Sequence, residues 1–105
     1  IETSEMNNEK SKLPNLFNNL GVVYLNINYP EKALDLYSQA LKLFEEARDT
    51  MNVAGTTTNI GSIYIQLGQN DIAETYYQTG YKLFNDFGSI EGMAHSQLKL
   101  GLLDM

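Results

Sequence analysis

Apolar residues recur along this chain every three or four positions, the spacing that sets side chains on one face of a helix. Leu16, Leu20, Val23, Tyr24 and Ile27 make a first stripe. Asn28-Tyr29-Pro30 breaks it, and Pro30 suits the first turn of a new helix, where its missing N–H leaves nothing unpaired. Ala33, Leu34, Tyr37, Ala40, Leu41 and Phe44 form a second stripe. Ile60, Ile63, Tyr64 and Leu67 form a third, ending at Gly68-Gln69-Asn70, and Ile72, Ala73, Tyr76, Tyr77 and Phe84 a fourth. The pattern predicts helices over roughly 14–27, 30–48, 50–67, 70–87 and 90–103. Asp49 and Ser89 are the expected N-caps, and Gly68 the expected left-handed stop, with Asn28 less well suited at the matching place. Turns this short force neighbouring helices antiparallel.

The pattern repeats. Leu41-Lys42-Leu43-Phe44 returns as Tyr81-Lys82-Leu83-Phe84, 40 residues on. The same step carries Asn19 to Asn59, Gly21 to Gly61 and Tyr24 to Tyr64. It also carries Ala33 to Ala73, Tyr37 to Tyr77, Ala54 to Ala94 and Gly61 to Gly101. One helix pair cannot bury its own apolar faces, so stacked pairs with a continuous core are expected. The expected organisation is a polar lead-in or the end of a preceding helix over 1–12, then an array over 13–105. Its first repeat covers about 13–48, its second about 50–87, and the first helix of a third about 90–104.

These residues resemble the tetratricopeptide repeat. Its pattern has an aromatic, Leu-Gly and Tyr in the first helix, then Ala, an aromatic and a small residue in the second. Phe17, Leu20-Gly21, Tyr24, Ala33, Tyr37 and Ala40 fit it, and Ile60-Gly61, Tyr64, Ala73 and Tyr77 fit it again. Thr57 stands where the aromatic is expected, Gly80 where alanine is usual, and Asp104 where a third tyrosine would fall. The 40-residue period is similar to that of a longer subtype found in spindle-orientation adaptors, kinesin light chains and bacterial peptide-sensing regulators. The resemblance implies an all-α fold, a right-handed α-α superhelix of antiparallel helix pairs about two and a half repeats long.

The resemblance also implies a binding surface, because in the family the first helix of each pair lines a concave groove. The positions that carry over are Asn18, Asn19, Val22, Leu25 and Asn26 in the first repeat. Gly55, Thr58, Asn59, Ser62, Ile65 and Gln66 carry over in the second, and His95, Leu98, Lys99 and Leu102 in the third. Asn19, Asn59 and Lys99 occupy one position, one period apart. An asparagine amide both donates and accepts, so such a ladder can hold the main chain of an extended peptide. The carboxylate clamp of some members wants lysine at Asn18 and asparagine at Val22, and both fail.

Composition narrows the partner. Seven basic and 13 acidic residues give a net charge of −6, which argues against nucleic acid and against an anionic membrane. With no cysteine and a single histidine, His95, there is no thiolate site, no histidine-rich metal site and no Cys–His pair. The adjacent Glu45 and Glu46 diverge on a helix and do not converge on one substrate. No Gly-rich phosphate loop is present. The chain reads as a non-enzyme without cofactor, a cytoplasmic module that binds a protein or peptide. The competing readings are the sensory region of a signalling protein and a structural segment that self-associates through exposed array ends. The chain opens at Ile1-Glu2-Thr3 without methionine, and a fragment of a larger protein is expected.

Overall fold

The computed structural model describes residues 2–103, and the side chains of residues 12–101. Leu102 and Asp104, named above, lie outside the described side chains. The described residues form five helices and no strand: α1 Glu2–Asn26, α2 Pro30–Glu46, α3 Thr50–Gln66, α4 Asn70–Phe87 and α5 Ile90–Leu103. Each packs on its neighbours in sequence, α1 on α2, α2 on α3, α3 on α4 and α4 on α5. The molecule is thus an all-α solenoid.

Four turns of one design separate the helices. In each, one residue adopts the left-handed conformation: Asn28 at φ 66°, Arg48 at 56°, Gly68 at 76° and Gly88 at 89°. The next amide then reaches back five residues, Tyr29 N to Tyr24 O at 2.8 Å, Asp49 N to Phe44 O at 3.0 Å, Gln69 N to Tyr64 O at 2.8 Å and Ser89 N to Phe84 O at 2.9 Å. This closure satisfies carbonyls that a helix end leaves unpaired. Asp49 accepts from Asn52 N at 3.4 Å, and Ser89 Oγ accepts from Gly92 N at 3.1 Å, so both expected N-caps form. Pro30 is the first residue of α2.

One boundary differs from expectation. α1 runs through Pro14 and does not start there. A proline inside a helix forfeits one backbone bond and crowds the carbonyl four residues earlier. Glu2, Glu5, Met6, Glu9, Lys10 and Lys12 all have good helix propensity, and no glycine precedes Pro14, so the sequence upstream supports continuation.

The core runs between the pairs. Ala33 and Tyr37 of α2 form one buried cluster with Ile60 and Ile63 of α3, and Tyr24, Leu25, Leu34, Leu41, Tyr64, Leu67 and Tyr76 pack around it. Close approach depends on small residues. A Cβ on Gly21 would lie 3.1 Å from the ring of Tyr37, and one on Gly61 only 2.7 Å from the ring of Tyr77. Gly101, third in that series, has open space in the same direction. Leu36, absent from the expected stripe, is buried, whereas Leu16, Leu20, Val23 and Ile27 of the expected first stripe are exposed. α1 turns its other side, with Gly21, toward α2, and the stripe is left without a covering helix among the described residues.

Candidate functional site

Of the first helices of the successive pairs, α1 and α3 touch directly, and α3 and α5 both reach Tyr77 of α4. Gln66 of α3 donates from Nε2 to the Leu25 carbonyl of α1 at 3.0 Å. Ser62 of α3 shares a 3.0 Å hydrogen bond with the Tyr77 hydroxyl of α4. Lys99 of α5 holds its ammonium 5.9 Å from the centroid of the same Tyr77 ring. Tyr77 is thus touched by Ser62 at its hydroxyl and by Lys99 over its ring. Its aromatic period marked it as core, and nothing in the sequence shows that its hydroxyl reaches this side.

The residues named from the sequence fare unequally. Asn19 and Asn26 are exposed, Asn18 and Asn59 half-buried, and Val22 exposed. Asn18 has a buried Oδ1 that accepts no hydrogen bond, a vacancy that a folded protein rarely leaves. Ser62 and Gln66 are present but partly engaged, as above. His95 is exposed, on the rim of a depression shared with Met51, Phe84 and Ser89. Lys99 is half-buried.

Thr58 does not belong to this surface. It is 1% exposed, and its hydroxyl donates to the Ala54 carbonyl at 3.0 Å. The reason lies across the interface, where Gly80 of α4 leaves a space that the Thr58 side chain fills. The two departures from the family pattern near this point have separate local settings. Gly80 replaces the usual alanine beside Thr58, and Thr57 turns its hydroxyl onto the Val53 carbonyl at 2.7 Å.

The electrostatics of the two sides differ. From Leu13 to Asn26, α1 carries no Asp, Glu, Lys, Arg or His, and neither does any position of α3. The second helices carry half of the twenty charged residues: Glu31, Lys32, Asp35, Lys42, Glu45 and Glu46 on α2, and Asp71, Glu74, Lys82 and Asp86 on α4. The positions carried over to this side mix amides and hydroxyls with the exposed apolar Val22, Ile65 and Leu98, and Lys99 and His95 are on α5. Two tyrosines stand apart from it, Tyr37 buried and Tyr76 half-buried. Burial raises the Tyr37 hydroxyl above its ordinary pKa. Tyr76 is raised by burial first, then by the charge of Tyr64 and a hydrogen bond with it, the two rings stacking at 5.4 Å.

Among the described residues no cluster of three metal-ligating side chains occurs, and no helix is long and apolar enough to cross a membrane.

Antiparallel helix pairs in a 40-residue register, closed by left-handed turns and held by glycine–tyrosine contacts, define a helical-repeat protein. The sequence matches the family described as tetratricopeptide repeat over residues 12–86. This chain belongs to the tetratricopeptide-repeat family. Such repeats are in general protein–protein interaction modules and typically not catalytic. No curated protein and no solved structure matches the chain.

Proposed function

We propose that this chain binds an extended segment of a partner protein along the side formed by α1, α3 and α5. The observation that carries this reading is the lack of charged residues on α1 from Leu13 to Asn26 and on the whole of α3, set against second helices that hold seven of the thirteen acids. A surface without charge does not steer by electrostatics. It recognises what its amides can bond, which is the main chain of an extended peptide. Asn19 and Asn59, one period apart, serve as rungs. Asn18, half-buried on α1, lies beside Asn19. Lys99, already over the Tyr77 ring, ends the ladder with a donor. Asn26, Val22, Ser62, Gln66 and His95 flank it.

The test is a selection of random peptides on the immobilised chain, followed by titration of the selected peptides. Asn19→Ala with Asn59→Ala is expected to weaken binding by at least about tenfold, since two hydrogen bonds are worth about 1 kcal/mol each. Affinity is expected to change less than about threefold between 50 and 500 mM salt, because few fixed charges on the groove are neutralised on binding. Peptides that bind equally well to the double variant, or that release steeply with salt, would refute the reading.

A further inference from the structure

One-electron oxidation of this chain falls on tyrosine, because there are seven tyrosines, no tryptophan and no cysteine. Tyr37 and Tyr77 are buried, whereas Tyr24, Tyr29, Tyr64, Tyr76 and Tyr81 are half-buried or exposed. Four of these form two pairs of different geometry. Tyr64 of α3 and Tyr76 of α4 stack, with ring centroids 5.4 Å apart and 11° between their planes. Tyr24 and Tyr29 meet edge to face, at 6.4 Å and 79°.

Packing by itself does not call for the stacked pair. One period earlier, Tyr24 and Leu36 hold the positions of Tyr64 and Tyr76. Leu36 is buried there, so an aliphatic side chain serves the interior at this point of the repeat. Tyr76 instead stays half-buried beside a second phenol. Stacking stabilises the two rings against each other, but phenylalanine would supply that without a hydroxyl. The hydroxyl ends are also close, since after burial it is Tyr64 that raises the Tyr76 hydroxyl above its ordinary pKa.

The geometry points to Tyr64 and Tyr76 as an oxidative cross-linking site, whose reagent is a peroxide acting through a haem peroxidase. Each phenol gives one electron and its hydroxyl proton to the oxidant and becomes a phenoxyl radical. The unpaired electron is shared with the ring carbons ortho to oxygen, and one such carbon from each ring forms the new C–C bond. The hydrogens on those two carbons then move to the oxygens, which restores both phenols. Two electrons and two protons leave the pair, and with them the peroxide becomes two waters. Parallel rings with neighbouring hydroxyls bring ortho carbons of both rings together. An edge-to-face pair aims the edge of one ring at the face of the other, so its ortho carbons do not meet. The product is a dityrosine that ties α3 to α4 across the turn at Gly68. The inference stands independently of the groove reading, which uses neither tyrosine.

The test treats the whole chain, kept dilute, with a haem peroxidase and hydrogen peroxide, and maps the product by proteolysis and mass spectrometry. Asp71 and Glu74 lie between the two tyrosines, so cleavage after either separates Tyr64 from Tyr76 unless a bond joins them. The expected product is the two segments joined, lighter than their sum by two hydrogens. It is expected to exceed any Tyr24–Tyr29 bond at least about fivefold, although those two are nearer in sequence, because only the stacked pair is held in register. Tyr64→Phe and Tyr76→Phe each keep the ring, and each is expected to abolish the product. Tyr24→Phe is expected to leave its yield within about twofold, since that ring takes no part in the pair. A product that survives either of the first two substitutions would overturn the inference. So would coupling mainly between chains, coupling mainly of Tyr24 with Tyr29, or no lighter product at all.

Discussion

Thr58 and Gly80 show how one residue's identity is set by another far along the chain. The threonine hydroxyl is tied to the Ala54 carbonyl, and the Thr58 side chain fills the space where a Cβ on residue 80 would stand. Alanine at that position would help the helix intrinsically, by roughly 1 kcal/mol over glycine. Here overpacking opposes that gain by about 1–3 kcal/mol. Gly80→Ala is therefore expected to lower stability in urea unfolding, and Thr58→Ala in the same chain to recover most of the loss. A double-mutant cycle measures the coupling. Additive effects would mean that the contact does not decide the choice of glycine. The same logic explains why Thr58 is absent from the groove that the family pattern assigned to it. Spacing put it on the right helix, but the neighbour opposite drew it inward.

At the scale of the element, each turn needs a residue that accepts a positive φ. Gly68 and Gly88 do so freely, while Asn28 and Arg48 do so with side chains attached. Asparagine tolerates the left-handed region better than arginine, which has no local compensation there. Arg48 is exposed, so its side chain fills no core space. Arg48→Gly is expected to raise stability by about 0.5–1 kcal/mol, read as a higher denaturation midpoint with an unchanged slope. A loss would show that the arginine side chain contributes more than its backbone strain removes. The helices that follow are started by different means. Asp49 and Ser89 cap α3 and α5 with side chains, while Pro30 opens α2 through its restricted φ. The first helix in each pair is thus begun by a cap, at least for α3 and α5, and that choice was readable from the residues alone.

For the molecule as a whole, stability is spread along a linear array, and the interface between α2 and α3 is its centre. Tyr37 lies there, 1% exposed, with its hydroxyl pKa raised by burial. In the unfolded chain the same hydroxyl titrates near the ordinary value of about 10. Above that pH the unfolded state releases the proton first, so it binds fewer protons than the folded state and is favoured. Stability from this group is full below about pH 10 and is lost as pH rises toward the folded value. Tyr76, shifted in the same direction, adds to the fall. Tyr37→Phe keeps the ring against Gly21 and removes the titrating group. It is expected to flatten the decline in thermal midpoint between pH 9 and 11 (roughly the tyrosine range) relative to the unchanged chain. An identical decline would place the alkaline sensitivity elsewhere.

The order of helices, the caps at Asp49 and Ser89, the stops at Gly68 and Asn28 and the 40-residue register were legible in the residues because they rest on local chemistry, whereas the left-handed Arg48 was not. A positive φ asks for glycine or asparagine, a helix start asks for a cap or a proline, and a buried face repeats every three or four residues. The family and the set of first helices followed from the same pattern. Exposure did not, because burial depends on whether a neighbour is present and not on spacing. Leu16, Leu20, Val23 and Ile27 have the spacing of a core stripe and lie in water, while their counterparts on α3 are covered by α2. Thr58 turned inward onto Gly80, and the Tyr77 hydroxyl reached Ser62, each through a contact with another helix that periodicity cannot show. Only packing decided which of several equally spaced faces became the interior.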